Sequence, residues 1–369
     1  MANQSEVPVA SSQRPTRFAS GHDTIHPCRG PGLLAPTSVY AVAMTAAPPP
    51  SQGPFIPMTP LVLGYVEDYG RDDLYPFVDS LRQTGYTGDV TLFVRNVAPD
   101  ALRLLETYDV DVRRVSRFDS KPTYSLPAWL VRWFNLSVDT FHPDLSVNRR
   151  LASMLDTLGL HTSAVGQAIA RVMWHCNVAR FFYYARYLEA HRDYDVVLLT
   201  DIRDVIFQDH PFLNVSADRL LLFEEHPRTP LRHQVDNARW INALYGADRL
   251  DAIGEAPIIC AGVMLGGADP LLAMIRAMNV EMVGTYIGWG TDQGVLNHLA
   301  RMPHDDVRIH PFGTGPAMHL GIAPRRAVST DAYGRVLDAN GAVCPIIHQY
   351  DRHPDLIAQW RGDAEEVLV

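Results

Sequence analysis

The sequence predicts an α/β protein whose mostly parallel central sheet is flanked by helices. Three observations carry that expectation. Residues Val196 to Thr200 form an apolar, β-branched-rich run with no polar alternation, the texture of a strand covered on both faces. Strand-like runs alternate with helix-like segments along the chain, the rhythm of βαβ units. Two acids, Asp201 and Asp204, follow the Val196 to Thr200 run where a strand emerges, and ligands bind at that carboxyl edge in open α/β sheets. Carboxylates there suit a hard divalent cation, which in turn suits a diphosphate.

Residues 1 to 57 are rich in Pro, Ala and Ser and read as a disordered leader. The texture changes at Leu61, where Leu61 to Val66 reads as a first buried strand. A helix from about Asp73 to Gln83 follows. Gly85 and Gly88 mark the turn into a second strand, Val90 to Val94. A short helix near Pro99 to Tyr108 leads to a third strand, Val110 to Val115. Residues 119 to 163 read as a loop-rich insertion with a helix from Val147 to Leu158. One long helix, about Gly166 to His191, then delivers the chain to the central strand. Beyond it come a strand at Arg219 to Phe223, a helix around Asp236 to Tyr245 and a strand from Ile258 to Leu265. Helices near Pro270 to Val283 and Asp292 to Ala300 follow, and Val343 to His348 forms the last strand. A single domain over 58–360 accommodates all of this.

The composition is that of an ordinary soluble globular protein, 47% apolar and 20% charged over 369 residues. A net charge of −9 without any Lys/Arg block disfavours a nucleic-acid partner. Cys28, Cys176, Cys260 and Cys344 are scattered without a CxxC spacing, which speaks against a zinc site or a disulfide framework and fits a reducing cytoplasm. No stretch approaches the roughly 20 apolar residues of a membrane span. Gly32 to Ala47 is mildly apolar, but Pro36 and the long preamble argue against a signal peptide, so a cytoplasmic location is expected. Asn135 and Asn214 head glycosylation sequons that, in a cytoplasmic protein, are chance matches.

Four stretches carry candidate chemistry. Asp201 and Asp204 converge on one ion only if the chain leaves the strand at Thr200, because residues i and i+3 diverge along a strand and meet across a turn. Otherwise Asp204 caps a turn or pairs with Arg203. Gly262 interrupts the apolar run from Ile258 to Leu265, marking a close approach, either of a ligand passing over it or of a helix packed tightly against the sheet. In Gly288 to Asn297, Thr291 is placed to cap a helix, which puts Asp292 and Gln293 in its first turn, where an acid also suits the helix dipole. Finally, His348 ends a buried strand with Asp351 and Arg352 beside it, either as a core histidine or as a metal ligand. Glu224 and Glu225 follow a strand as well, as an acidic turn or as groups facing a substrate.

Taken in order, these stretches resemble the retaining glycosyltransferases of the nucleotide-sugar-binding GT-A (Rossmann-like) fold, in particular the family of glycogenin and the bacterial lipopolysaccharide galactosyltransferases. The matching residues are Asn177 to Arg180 running through to Asp201, Cys260 to Leu265, Asp292 to Asn297 and Ile346 to Tyr350. The resemblance implies a nucleoside diphosphate sugar donor, UDP-sugar first, a carbohydrate or small-molecule acceptor, and Mn2+ or Mg2+ as cofactor. It implies Asp201, with Asp204, and His348 as metal ligands, and Arg180 on the donor's phosphates or sugar. Asp292 and Gln293 would line the sugar pocket, and Gly64, Tyr65, Val66 and Glu67 would hold base and ribose. The chain departs from the family's Asp-x-Asp, since Arg203 stands at the third position and the second acid is displaced to Asp204. Either the metal site is rearranged or Arg203 replaces the ion's charge. For an inverting reaction the candidate bases are Glu224, Glu225 and Asp292. The competing readings are a nucleotidyltransferase or sugar-nucleotide hydrolase, and a sugar-nucleotide-binding protein without activity. The acidic stretch Gly64 to Gly70, where a nucleotidyltransferase wants a basic glycine-rich loop, weighs against the first.

Overall fold

The computed structural model describes residues 58–116 and 143–357, which fall within one unit. The leader expected over 1–57 and residues 119–142 of the expected insertion lie outside the described residues. The strands are β1 Pro60–Glu67, β2 Asp89–Arg95, β3 Asp111–Arg114, β4 Val196–Thr200, β5 Val205–Phe207, β6 Leu220–Glu224, β7 Ile259–Gly267, β8 Val307–His310, β9 Ala317–His319 and β10 Ile346–His348. The helices are α1 Arg71–Gln83, α2 Pro99–Thr107, α3 Pro143–Thr157, α4 Ala164–Met173, α5 Cys176–Ala190, α6 Val235–Tyr245, α7 Ala247–Ile253, α8 Ala268–Gly284 and α9 Thr291–Leu299.

Seven strands form the central sheet in the order β3-β2-β1-β4-β7-β6-β8. Every neighbouring pair is parallel except the two made by β7, which runs against β4 and β6. This is the mostly parallel, helix-flanked sheet that the sequence predicts. Its strands read as continuous apolar runs because both faces are covered. Leu61, Leu63, Val197 and Leu199 point into a core shared with α3, α4, α5 and α8, whereas Val62, Val66, Val196 and Leu198 point into the one shared with α1 and α2.

Three shorter strands make a second sheet, β5-β10-β9, backed by its own small core of Ile206, Met318, Leu320, Ile347 and Tyr350. In it β10 pairs antiparallel with β5 and parallel with β9. Neither β5 nor β9 was expected from the sequence, and α7 and β8 were missed as well.

The long helix expected from Gly166 to His191 is two helices. The break is at Trp174, whose backbone is extended (ψ 161°). Its ring stacks on Tyr286 at 4.7 Å between centroids, and its Nε1 donates to the Met282 carbonyl at 2.9 Å. His175 then caps α5 by accepting the Asn177 N–H on its ring. Tertiary packing of one buried tryptophan thus overrides local helix propensity. Among the described residues, no helix is long and apolar enough to cross a membrane.

Candidate functional site

The site is assembled where both sheets end. Strand β4 stops at Thr200, and the Asp201 N–H continues the ladder for one residue by donating to the Gly262 carbonyl of β7 at 2.8 Å. The chain turns through Ile202 and Arg203 and re-enters as β5, so Asp204 faces the same space as Asp201. The second sheet delivers the histidine. His348 lies opposite Val205 of β5 in register, and Gln349 N–H donates to the Asp204 carbonyl at 2.7 Å.

Asp201 Oδ2 and Asp204 Oδ2 stand 3.5 Å and 3.6 Å from His348 Nε2, and donor atoms of the three residues lie within 4.8 Å of one another. His348 is buried, and its Nε2 has no hydrogen-bond partner. Gly262 gives this group its room. A Cβ there would sit 2.3 Å from His348 Cε1 and 2.8 Å from both His348 Nε2 and Asp201 Oδ2. A buried, unpartnered imidazole nitrogen between two carboxylates, beside a glycine that keeps the space open, is a donor set that fits a divalent cation.

Arg180 projects from α5 into the same place. Its guanidinium bonds Asp201 on one side and Asp292 on the other, the latter at 3.3 Å. Burial opposes the charge of all three. It raises the Asp201 carboxyl, but Arg180 and His348 outweigh it and hold that group well below the usual range. At Asp292 burial wins and the carboxyl is raised in spite of Arg180. At His348 burial is overcome, chiefly by Asp204, and the ring is raised well above its ordinary value.

Gln293 is fixed at both ends, accepting the Ala261 N–H at 3.4 Å and donating to Asn237 Oδ1 at 3.0 Å. Asn297, one turn further along α9, clamps the start of β7 by bonding both N–H and C=O of Ile259 at 2.8 Å. The expected cap is displaced by one residue. Gly290, at φ 86°, precedes the first turn, while Thr291 Oγ1 donates to the Gly288 carbonyl at 2.6 Å from inside it. Asp292 and Gln293 still lie in that first turn.

The remaining expected residues fare differently. Glu224 is tied to Arg301 at 3.2 Å. Glu225 is 5% exposed, and burial pushes its carboxyl up to about 7 near Cys260 and His348. Arg203 is exposed and lies over the Tyr69 ring at 6.0 Å. Gly64 makes room for Ile202, since a Cβ would stand 2.3 Å from its Cδ1, and Val66 is core. Neither offers a side chain to a ligand. Tyr65 donates to Glu67 at 2.8 Å, and Glu67 pairs with Arg95 at 2.6 Å. Sequence reasoning missed Tyr69, Asn237, Cys260 and His319. Of these, Tyr69 is pushed up to about 12 by burial and then by Asp201.

No family model and no curated protein matches the sequence. Solved structures are similar to it only loosely. A galactosyltransferase, LgtC, in complex with donor and acceptor sugar analogs shares 13% identity at a TM-score of 0.42, over 84% of this chain and 94% of that one. The bifunctional glycosyltransferase WbbM in its apo form shares 10% identity at 0.42 over 85% of this chain, which spans only 52% of its length. Core-mannan synthase A from Aspergillus fumigatus, in a Mn/GDP form, shares 12% at 0.35 over 70% of this chain and 74% of its own. All three are glycosyltransferases. Overlap this loose carries no functional weight, which falls on the side chains.

Proposed function

We propose that this chain is a glycosyltransferase that takes a sugar from a nucleoside diphosphate sugar, UDP-sugar first, and passes it to a hydroxyl of a carbohydrate or small-molecule acceptor. The observation that carries the reading is the convergence of Asp201, Asp204 and His348 at the carboxyl edge of the sheet, around the space Gly262 leaves. These three residues would hold Mn2+ or Mg2+, which when bound neutralises the charge of a departing diphosphate.

The chain's own side chains do the rest. Arg180, locked between Asp201 and Asp292, presents a fixed cation beside the diphosphate at no reorganisation cost. Asp292 and the Gln293 carbonyl, whose second lone pair is free of the Ala261 bond, would stabilise positive character at the anomeric carbon. The arrangement supports retention. An inverting base must be ionised, close to the acceptor and unencumbered. Glu224 is held by Arg301, Asp292 by Arg180, and Glu225 is buried, which favours its protonated form. In a same-face reaction the leaving phosphate oxygen takes the acceptor's proton and no such base is needed.

The test is nucleoside diphosphate release from UDP-, GDP- and TDP-sugars, with Mn2+ and then with chelator. Release from one donor that stops with chelator and in Asp201→Ala is the expected result. Release from none, with no thermal shift on adding the nucleotides, sinks the sugar-nucleotide reading. A thermal shift without release, with or without acceptor sugars, favours a binding protein instead.

A further inference from the structure

Behind His348 lies a second histidine that the proposed chemistry does not use. Strand β9 pairs with β10 in parallel register, Ala317 against Ile346, Met318 against Ile347 and His319 against His348. Cross-strand partners project to the same face of a sheet. The two rings therefore meet, with His319 Nδ1 2.8 Å from His348 Nδ1. Both side chains are buried, His319 completely.

Two bare nitrogens cannot approach so closely without a proton between them, so one ring donates and the other accepts. The choice decides what His348 offers at its other nitrogen. If His348 Nδ1–H donates, the neutral ring presents a lone pair at Nε2, between the Asp201 and Asp204 carboxylates. If His319 donates, the neutral His348 must carry its proton on Nε2, and an N–H then blocks that space.

A cation in that space requires the first arrangement. It takes the Nε2 lone pair, so the proton of the neutral His348 ring sits on Nδ1, 2.8 Å from His319 Nδ1, and His319 accepts it. The other group near His348 Nδ1 is Cys260 Sγ, at 3.7 Å, a weaker and more distant acceptor than the imidazole.

We propose that His319 is a positioning residue, accepting the His348 Nδ1–H so that the His348 Nε2 lone pair is turned to the Asp201–Asp204 pair, and thereby setting the affinity of the site for a divalent cation. The proposal rests on the metal-assisted reading above. Outer partners that fix the tautomer of a ligating histidine typically change metal affinity by about 10–100-fold when removed.

The test uses the full chain with Mn2+ as probe. Electron paramagnetic resonance titration should show His319→Leu weakened by about 10–100-fold. In His319→Asn the carboxamide oxygen can replace the Nδ1 acceptor and should restore most of that affinity. Both variants are melted in chelator, so that lost packing is separated from lost positioning. Independently, 15N spectra of the imidazoles in the wild type loaded with diamagnetic Mg2+ should show His348 protonated at Nδ1 and His319 bare at Nδ1.

The reverse tautomers overturn the proposal. So does a His319→Leu protein that binds Mn2+ as the wild type does, or equal weakening in the Leu and Asn variants. A wild type that binds no Mn2+ overturns the metal reading and takes this proposal with it. A wild type that binds, with an unaffected Leu variant, overturns this proposal alone.

Discussion

Gly262→Ala adds one methyl group at the tightest point of the site. Its carbon would stand 2.3 Å from His348 Cε1 and 2.8 Å from His348 Nε2 and Asp201 Oδ2, where ordinary contact is 3.4–4 Å. Gly262 is not among the glycines with positive φ, so alanine suffers no backbone strain there and the whole effect comes from the methyl group. His348 cannot simply swing away. Its strand is hydrogen-bonded on both sides, and its ring is held against His319. A displacement of about 1 Å must therefore be taken by the donor set itself. Misplacing a working group by about that much costs on the order of 100-fold in turnover, and overpacking of a filled site costs about 1–3 kcal/mol of stability. Mn2+ titration, donor hydrolysis and chemical denaturation should be run on this variant beside Gly88→Ala. In the latter a Cβ meets Tyr86 Oη at 2.6 Å, at the turn before β2 and away from the site. Both variants are expected to lose stability, but only Gly262→Ala should lose metal affinity and turnover. Wild-type Mn2+ affinity in Gly262→Ala would refute the reasoning.

Removing Arg180 as Arg180→Met leaves Asp292 buried without its counter-charge and should cost about 3–5 kcal/mol. The double variant with Asp292→Leu should recover much of that loss in denaturant melts, and no recovery would mean the pair is not coupled. Glu225 gives a pH signature, because burial raises its carboxyl from 4.5 to about 7. The folded chain thus holds this proton more tightly than the unfolded one, so the group costs no stability below about pH 4.5, and its penalty grows to completion as pH rises through about 7. At about 1.4 kcal/mol per unit, Glu225→Gln should exceed the wild type by on the order of 3 kcal/mol at about pH 8 and by nothing at about pH 4, measured in chelator. An equal difference at both pH values would count against a buried, proton-holding Glu225. Arg203→Ala should leave Mn2+ affinity unchanged, and chelator should still stop donor hydrolysis in the wild type; hydrolysis that survives chelator and disappears in Arg203→Ala would make Arg203 the substitute for the ion.

The long elements were legible because burial on both faces leaves a pattern in the sequence. Leu61 to Val66 and Val196 to Thr200 are unbroken apolar runs, and only a strand between two helical layers needs them. Glycine at 262 was legible for a similar reason, since it breaks such a run and has to be there for something. Of the second sheet only the last strand, Ile346–His348, left such a trace. Ala317–His319 is three residues, too short for any period, and its pairing with Ile346–His348 links segments some 30 residues apart. His319 was invisible for that reason alone: its meaning lies in its register partner. The break at Trp174 was hidden because neither Trp174 nor His175 is a helix breaker, and only the stack on Tyr286, 112 residues onward, pulls the chain out of the helix. In the early strand Gly64 makes room for Ile202 and Val66 packs in the core.

The spacing of the acids was the feature most at odds with the family the motifs resemble, and the backbone accounts for it. Two carboxylates on one continuing strand meet a common point when they are two residues apart. Here the strand does not continue. The ladder ends at Asp201, whose N–H is the last to reach Gly262, and the chain is re-anchored only at Asp204, whose carbonyl accepts the Gln349 N–H. Ile202 fills the space under Gly64, which pins the inside of the turn, and Arg203 falls on its outer face, exposed over Tyr69. With the turn pinned in this way, a separation of three residues brings both Oδ2 atoms to nearly equal distances from His348 Nε2, 3.5 Å and 3.6 Å. An acid at position 203 would point where Arg203 now points, away from the histidine. Moving the second carboxylate back by the double change Arg203→Asp/Asp204→Arg should therefore destroy Mn2+ binding rather than restore a more familiar site, and retained binding in that variant would show that the turn, not the spacing, adapts.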